Sequence, residues 1–178
     1  MQFVKYYYEK VIRYDLINKF TYNSFNELPR LKKITLSFDC KGLSLQKIST
    51  ILFSLELITT KKGSIGVSKK ANVFLKLQKG SPASCKVVLS KNVMYDFLAK
   101  LLVEIFPKVK NLSELKINII NKNTFFYKFI SNSIVLTELQ EQYPLFNNLP
   151  ELTVTFTTTT TNKKELLFLI KSFQLPNN

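Results

Sequence analysis

The sequence predicts an α+β fold: a mostly antiparallel sheet, helices packed on one face, and a polar, basic other face, in one domain spanning 1–178. Three observations predict it. Segments with period-two alternation of apolar and polar residues are interspersed with segments of helical period. The alternating segments carry Lys, Thr and Ser on the side that a core would not use. From Leu57 to Tyr95, 39 residues hold eight Lys and no Asp or Glu.

The elements follow in order. Residues 2–20 read as a helix with Phe3, Tyr7, Val11 and Tyr14 near one face, and Tyr6, Tyr7 and Tyr8 only partly exposed. Asn23, Ser24, Asn26 and Pro29 mark a loop. Leu31 to Phe38 is a strand with Ile34, Leu36 and Phe38 inward and Lys33, Thr35 and Ser37 outward. A helix over about 44–57 follows, with a stripe of Leu45, Ile48, Leu52 and Leu55. Val73, Leu75 and Leu77, then Cys85, Val87 and Leu89, read as two strands of a hairpin with Lys79 and Gly80 at its tip. Asn92 is placed to cap a helix from Val93 to Ile105, with Met94, Phe97, Leu98, Leu101, Leu102 and Ile105 as its core face and Pro107 ending it. Stretches 115–120 and 125–136 are β-like, and 139–150 is a loop with a short helical turn. Leu152, Val154 and Phe156 alternate with Thr153, Thr155 and Thr157 in a last strand. Asn162 and Glu165 resemble a capping box for a helix presenting Leu166, Leu169, Ile170 and Phe173, stopped by Pro176.

A net charge of +14 points to an anionic partner. Nucleic acid leads; an anionic membrane surface and a merely solvated Lys-rich exterior are the alternatives. The cations are 24 Lys and two Arg, so contact with backbone phosphates is favoured over base reading. The chain has no His, which removes Ser-His and Cys-His nucleophile pairs and the usual metal ligand. Its three Asp and nine Glu are scattered, and Gly63 to Gly66 lacks the spacing of a phosphate loop. No enzyme activity, metal or cofactor is expected. Cys40 and Cys85 read as buried thiols.

Six ordered segments resemble one family. They are Phe20 to Ser24 with Leu28, Pro29, Arg30, Leu31 and Lys33 to Leu36; Lys62, Ile65, Lys69, Lys70, Lys76 and Leu77; Gly80, Pro82 and Cys85 to Leu89; Met94, Tyr95, Phe97 and Leu98; Pro107 to Lys110; and Thr155 with Thr157 to Thr159. Together they resemble ribosomal protein five of the large subunit, the universal protein that binds 5S rRNA in the central protuberance, over nearly the whole chain. The resemblance implies a single ribosomal-protein domain in which the helices lie behind a curved sheet. It implies that the sheet and its basic loops bind 5S rRNA and adjacent large-subunit rRNA through Lys33, Thr35, Ser37, Lys61, Lys62, Lys69, Lys70, Leu75, Lys76, Lys86, Val88 and Lys91. It implies that Lys79, Gly80, Ser81 and Pro82 approach the elbow of P-site tRNA, and that a loop within Gln140–Asn148 meets a small-subunit protein in an intersubunit bridge.

The sequence departs from the family at several positions. Ser37, Lys61, Leu75 and Val88 stand where the family carries Asn, Gln, Phe and Thr, and Asn121, Lys122 and Asn123 replace a glycine-rich turn. Asn tolerates the left-handed region, which would preserve that turn. The A+T-rich residue bias and the absence of an Arg- and Ser-rich leader suggest a version encoded in mitochondria and working in the mitochondrial matrix; a plastid or an A+T-rich bacterium is the alternative. The competing function is a central-protuberance protein that has lost 5S rRNA and docks other ribosomal proteins.

Overall fold

The computed structural model describes residues 3–71, 73, 74, 78–109, 115, 117–129, 137–140, 143–146 and 148–176. The fold is α+β, as expected. Six strands form one sheet: β1 (Leu31–Asp39), β2 (Ser64–Val67), β3 (Pro82–Leu89), β4 (Asn118–Asn121), β5 (Thr124–Phe129) and β6 (Leu152–Thr158), in the order β2-β3-β1-β6-β5-β4. The outer pairs β2–β3 and β4–β5 are antiparallel. The chain divides into two compact units, one of Met1–Ile34, Leu89–Tyr127 and Thr155–Asn178, the other of Thr35–Val88 and Lys128–Val154.

In the first unit the N-terminal helix is α-helical over Phe3–Tyr7 and Arg13–Lys19, with a π-helical segment Tyr8–Ile12 between. It buries Val4, Tyr8, Ile12 and Leu16, not the expected Phe3, Tyr7, Val11 and Tyr14. In a plain α-helix, residues four apart drift by about 40° per step. The wider π turn offsets that drift and keeps a four-residue row on one side. The buried row is anchored by the Tyr8 hydroxyl, which donates to the Pro29 carbonyl at 2.9 Å, and by the Tyr8 ring, stacked on Phe173 at 6.1 Å.

The third helix also differs from expectation. It begins at Lys91, with Ser90 at the cap position, and Asn92 instead accepts a hydrogen bond from Lys5 Nζ at 3.3 Å. It continues through a π segment, Leu101–Ile105, to Phe106–Lys108. Phe106 N–H bonds the Leu101 carbonyl five residues back. Pro107 then sits in the first turn of a new helical segment, where a missing N–H costs little. All the expected core residues of this helix except half-buried Leu102 are buried.

The β4–β5 turn forms over Lys122 and Asn123 without a positive φ, so left-handed Asn is not what preserves it. It is held by the Thr run instead. Thr158 N–H and Oγ1 donate to the Asn123 carbonyl at 2.8 and 2.9 Å, and Thr160 Oγ1 to the Lys122 carbonyl at 2.7 Å. Phe125 and Phe156 stack at 4.8 Å beneath this corner. The C-terminal helix (Lys163–Ser172) buries Leu166, Leu169 and Ile170 with Phe173 just beyond it, as expected. Its capping box is rearranged: Glu165 accepts from Asn162 Nδ2 at 3.1 Å and from Thr161 N–H at 3.3 Å.

The second unit is built on the helix Leu45–Thr59, whose buried face is Ile48, Ile51, Leu55 and Ile58; Leu45, expected in the stripe, is exposed at the first turn. Leu36, Phe38, Cys85 and Val87 are buried in the strands of this unit. Each such apolar side chain contributes roughly 1.5–3 kcal/mol by leaving water. Thr137–Gln140 and Tyr143–Phe146 are short helical turns, the second inserting buried Phe146 against Phe53 at 6.0 Å.

The expected hairpin is corrected in one strand. The partner of β3 is Ser64–Val67, not Val73–Leu77. Val73 and Phe74 lie in a turn, and Leu75, Lys76 and Leu77 fall outside the described residues. Alternation alone did not separate these two apolar runs. The intervening loop is closed by Ser68 N–H to the Ser81 carbonyl and Gly80 N–H to the Ser68 carbonyl, both at 2.9 Å.

Candidate nucleic-acid interface

Strand alternation in the second unit sends Leu36, Phe38, Cys85 and Val87 into the core. It leaves half-buried Thr35, Ser37 and Ser84 and exposed Lys86 and Val88 on the opposite face. Register places Ser64 opposite Lys86 and Gly66 opposite Ser84 on that same face. Ser64 Oγ donates to the Lys86 carbonyl at 3.1 Å, and Ser37 Oγ to the Thr153 carbonyl at 3.4 Å. A Cβ on Gly66 would lie 2.7 Å from Ser84 Oγ, so glycine keeps the two strands close and this part of the face low. The result is a shallow platform of hydroxyls and backbone.

Lysines rim the platform. Lys61 is half-buried just before β2, Lys62, Lys69 and Lys70 are exposed on either side of that strand, and Lys79 is exposed on the returning arm of the loop. The nearest acid in sequence, Glu56, has its Oε1 3.2 Å from Gly63 N–H. Asp39 pairs with Lys41 at 3.3 Å. A polyanion would therefore meet a field of one sign.

Of the expected rRNA-binding residues, Thr35, Ser37, Lys61, Lys62, Lys69, Lys70, Lys86 and Val88 belong to this unit. Lys33 and Lys91 are exposed in the other, and Leu75 and Lys76 fall outside the described residues. Lys79, Gly80, Ser81 and Pro82 do not form a hairpin tip. They run along the closed base of the loop into β3, where Pro82 is the first strand residue. The middle of the loop carries Val73 and Phe74, 89% and 99% exposed. Ser64, Gly66, Ser84 and Thr153 were not singled out from sequence. The register of β2 was the missing signal for the first three.

Beneath the platform, Cys40 and Cys85 are free thiols with sulfurs 3.1 Å apart, and burial first, then the hydrogen bond to Cys85, pushes Cys40 up to about 12. Neither buried sulfur is a ready nucleophile. No cluster of three or more His, Cys, Asp or Glu able to hold a metal occurs among the described residues, and no described helix is long and apolar enough to cross a membrane.

The model of the C-terminus of the ribosomal protein uL5 family matches residues 82–177. The chain is 33% identical to the large ribosomal subunit protein uL5m of Reclinomonas americana over 100% of this chain and 99% of the relative. It is 32% identical to uL5 of Karelsulcia muelleri, covering 97% and 92%, and 31% identical to uL5 of Borrelia garinii, covering 97% and 94%. The sheet, the ordered motifs and these likenesses agree, and the chain belongs to the uL5 family of large ribosomal subunit proteins.

Proposed function

We propose that this uL5 chain is a structural component of the central protuberance that binds 5S rRNA and adjacent large-subunit rRNA through the β2–β3–β1 platform and its lysine rim. The observation that carries this reading is the acid-free span Leu57–Tyr95 surrounding a face of hydroxyls and backbone. Lys ammonium groups neutralise phosphates, and Ser and Thr hydroxyls suit the 2′-OH and phosphate contacts by which RNA shape is read. The loop closed at Ser68 and Ser81 extends toward the P-site tRNA elbow. The turn Tyr143–Phe146, with Leu145 62% exposed, serves the intersubunit bridge to a small-subunit protein. The reading includes a mitochondrial ribosome as its place of work, supported by the A+T-rich composition and the likeness to the uL5m of Reclinomonas americana.

Binding of the purified chain to transcribed 5S rRNA, titrated across salt, tests the proposal. Replacing Lys61, Lys62, Lys69 and Lys70 by Ala is expected to lower the salt slope by about four and to leave the fold intact. An unchanged affinity and slope would place the RNA elsewhere. One observation favours a second reading: Val88, 45% exposed, puts an apolar group on the platform. If the chain co-sediments with large subunits but does not bind 5S rRNA, it docks chiefly to neighbouring proteins.

A further inference from the structure

We propose that the outward face of the N-terminal helix is a second RNA site, one that takes a single-stranded segment by stacking. The proposal is independent of the sheet platform. Because Val4, Tyr8, Ile12 and Leu16 are buried, the row Tyr6, Lys10, Tyr14 and Asn18 points to solvent. Tyr6 is 61% and Tyr14 59% exposed. Large aromatics held in water on a rigid helix, with a cation between them, are the parts of a stacking site for unpaired bases. Eight residues of helix separate the two Tyr by about 12 Å, room for two bases of an extended strand with Lys10 at the phosphate between them.

At the helix start, Phe3 is 70% exposed and stacks on Tyr7 at 6.4 Å with an interplanar angle of 12°. Phe3, Lys5, Tyr6 and Glu9 line a surface hollow of about 320 Å³. There an aromatic wall is flanked by an ammonium donor and a carboxylate acceptor, which suits the edge of a base. Charge selects RNA over a protein partner. The row itself has no carboxylate; Glu9 and Asp15 flank it, against Lys5, Lys10, Arg13 and Lys19 on the same helix, in a chain of net charge +14. A helix that docks on protein through an apolar seam would place aliphatic side chains where Tyr6, Lys10 and Tyr14 stand.

The test is binding of the purified full chain to a fluorescent single-stranded oligouridine and, separately, to an RNA duplex of the same length. Four proteins are compared: the unmodified chain, Tyr6→Ala with Tyr14→Ala, Tyr6→Phe with Tyr14→Phe, and Lys10→Ala. The double Ala variant is expected to lose at least about tenfold in oligouridine affinity with unchanged circular dichroism, and the double Phe variant to stay within about twofold. Lys10→Ala should reduce the salt slope by about one. Duplex affinity should be the same for the unmodified chain and both Tyr variants. Equal oligouridine affinity of the double Ala variant and the unmodified chain overturns the site. So does a double Ala variant that binds oligouridine normally yet is lost from salt-washed large subunits, since the face then docks protein. The four-lysine variant separates the two proposals: its failure to weaken 5S rRNA binding concerns the platform alone.

Discussion

Cys40 Sγ and Cys85 Sγ lie 3.1 Å apart, both thiols fully buried, and the Cys40 backbone N–H bonds the Ala83 carbonyl at 3.0 Å. The pair is a packed polar contact directly beneath the platform. Its chemistry is suppressed by burial, which favours the neutral thiol over the thiolate.

That suppression has a pH consequence. Cys40 is pushed up to about 12 from an ordinary value of 9.0. The folded chain therefore keeps a proton that the unfolded chain releases above pH 9. Its contribution to stability is complete below about 9 and is lost as pH rises toward about 12. The urea midpoint is expected to fall between pH 8 and pH 10.5, and to fall less in Cys40→Ala. A disulfide reagent should label both cysteines at once in urea and only slowly in the native state.

Val88 occupies an exposed platform position next to the Lys86 and Ser84 side of β3. Val88→Thr keeps the β-branched shape and adds a hydroxyl. It is expected to change stability by less than about 0.5 kcal/mol, as for a surface site. It should raise affinity for 5S rRNA severalfold at constant salt slope, because no charge is added. A filter-binding titration at two salt concentrations reads both quantities.

Tyr8 ties the N-terminal helix to the Pro29 carbonyl. Its hydroxyl is raised from 10.0 chiefly by burial, offset in part by the guanidinium of Arg13. Tyr8→Phe keeps the ring stacked on Phe173 and removes the donor. The expected loss is about 1 kcal/mol, read from a denaturant midpoint shift with unchanged m-value.

Gly80 adopts φ +86° and donates its N–H to the Ser68 carbonyl at 2.9 Å. No atom lies within 4 Å of a Cβ built there, so only the backbone opposes a side chain. Gly80→Ala is expected to cost about 1–2 kcal/mol locally. Amide exchange should then quicken at Gly80 and Ser68 while the core strands β1 and β3 retain protection.

Leu31–Asp39, Leu152–Thr158 and the C-terminal helix were legible in the sequence, since in each a single period runs unbroken between clear boundaries. The β2 strand was not. Ser64–Val67 is four residues long, holds a glycine, and has no run of its own to compete with Val73–Leu77. Most of the expected cationic site residues could be named from charge, but their division between the two units could not.

Composition and local pattern determined by themselves the class of fold, the basic partner-facing character, the two unreactive cysteines and the family resemblance. These depend on residue type and short-range period, which survive without knowledge of long-range neighbours. Only tertiary structure decided which row of the N-terminal helix is buried. The choice between Phe3, Tyr7, Val11 and Val4, Tyr8, Ile12 turned on a π segment and on the Pro29 carbonyl and Phe173 ring that receive Tyr8. It likewise decided that Thr158 and Thr160 hold the turn at Lys122 and Asn123, and that Asn92 meets Lys5 instead of capping its own helix. Each is a hydrogen bond or packing choice between residues far apart in sequence, where several local solutions are nearly equal and the distant partner selects one.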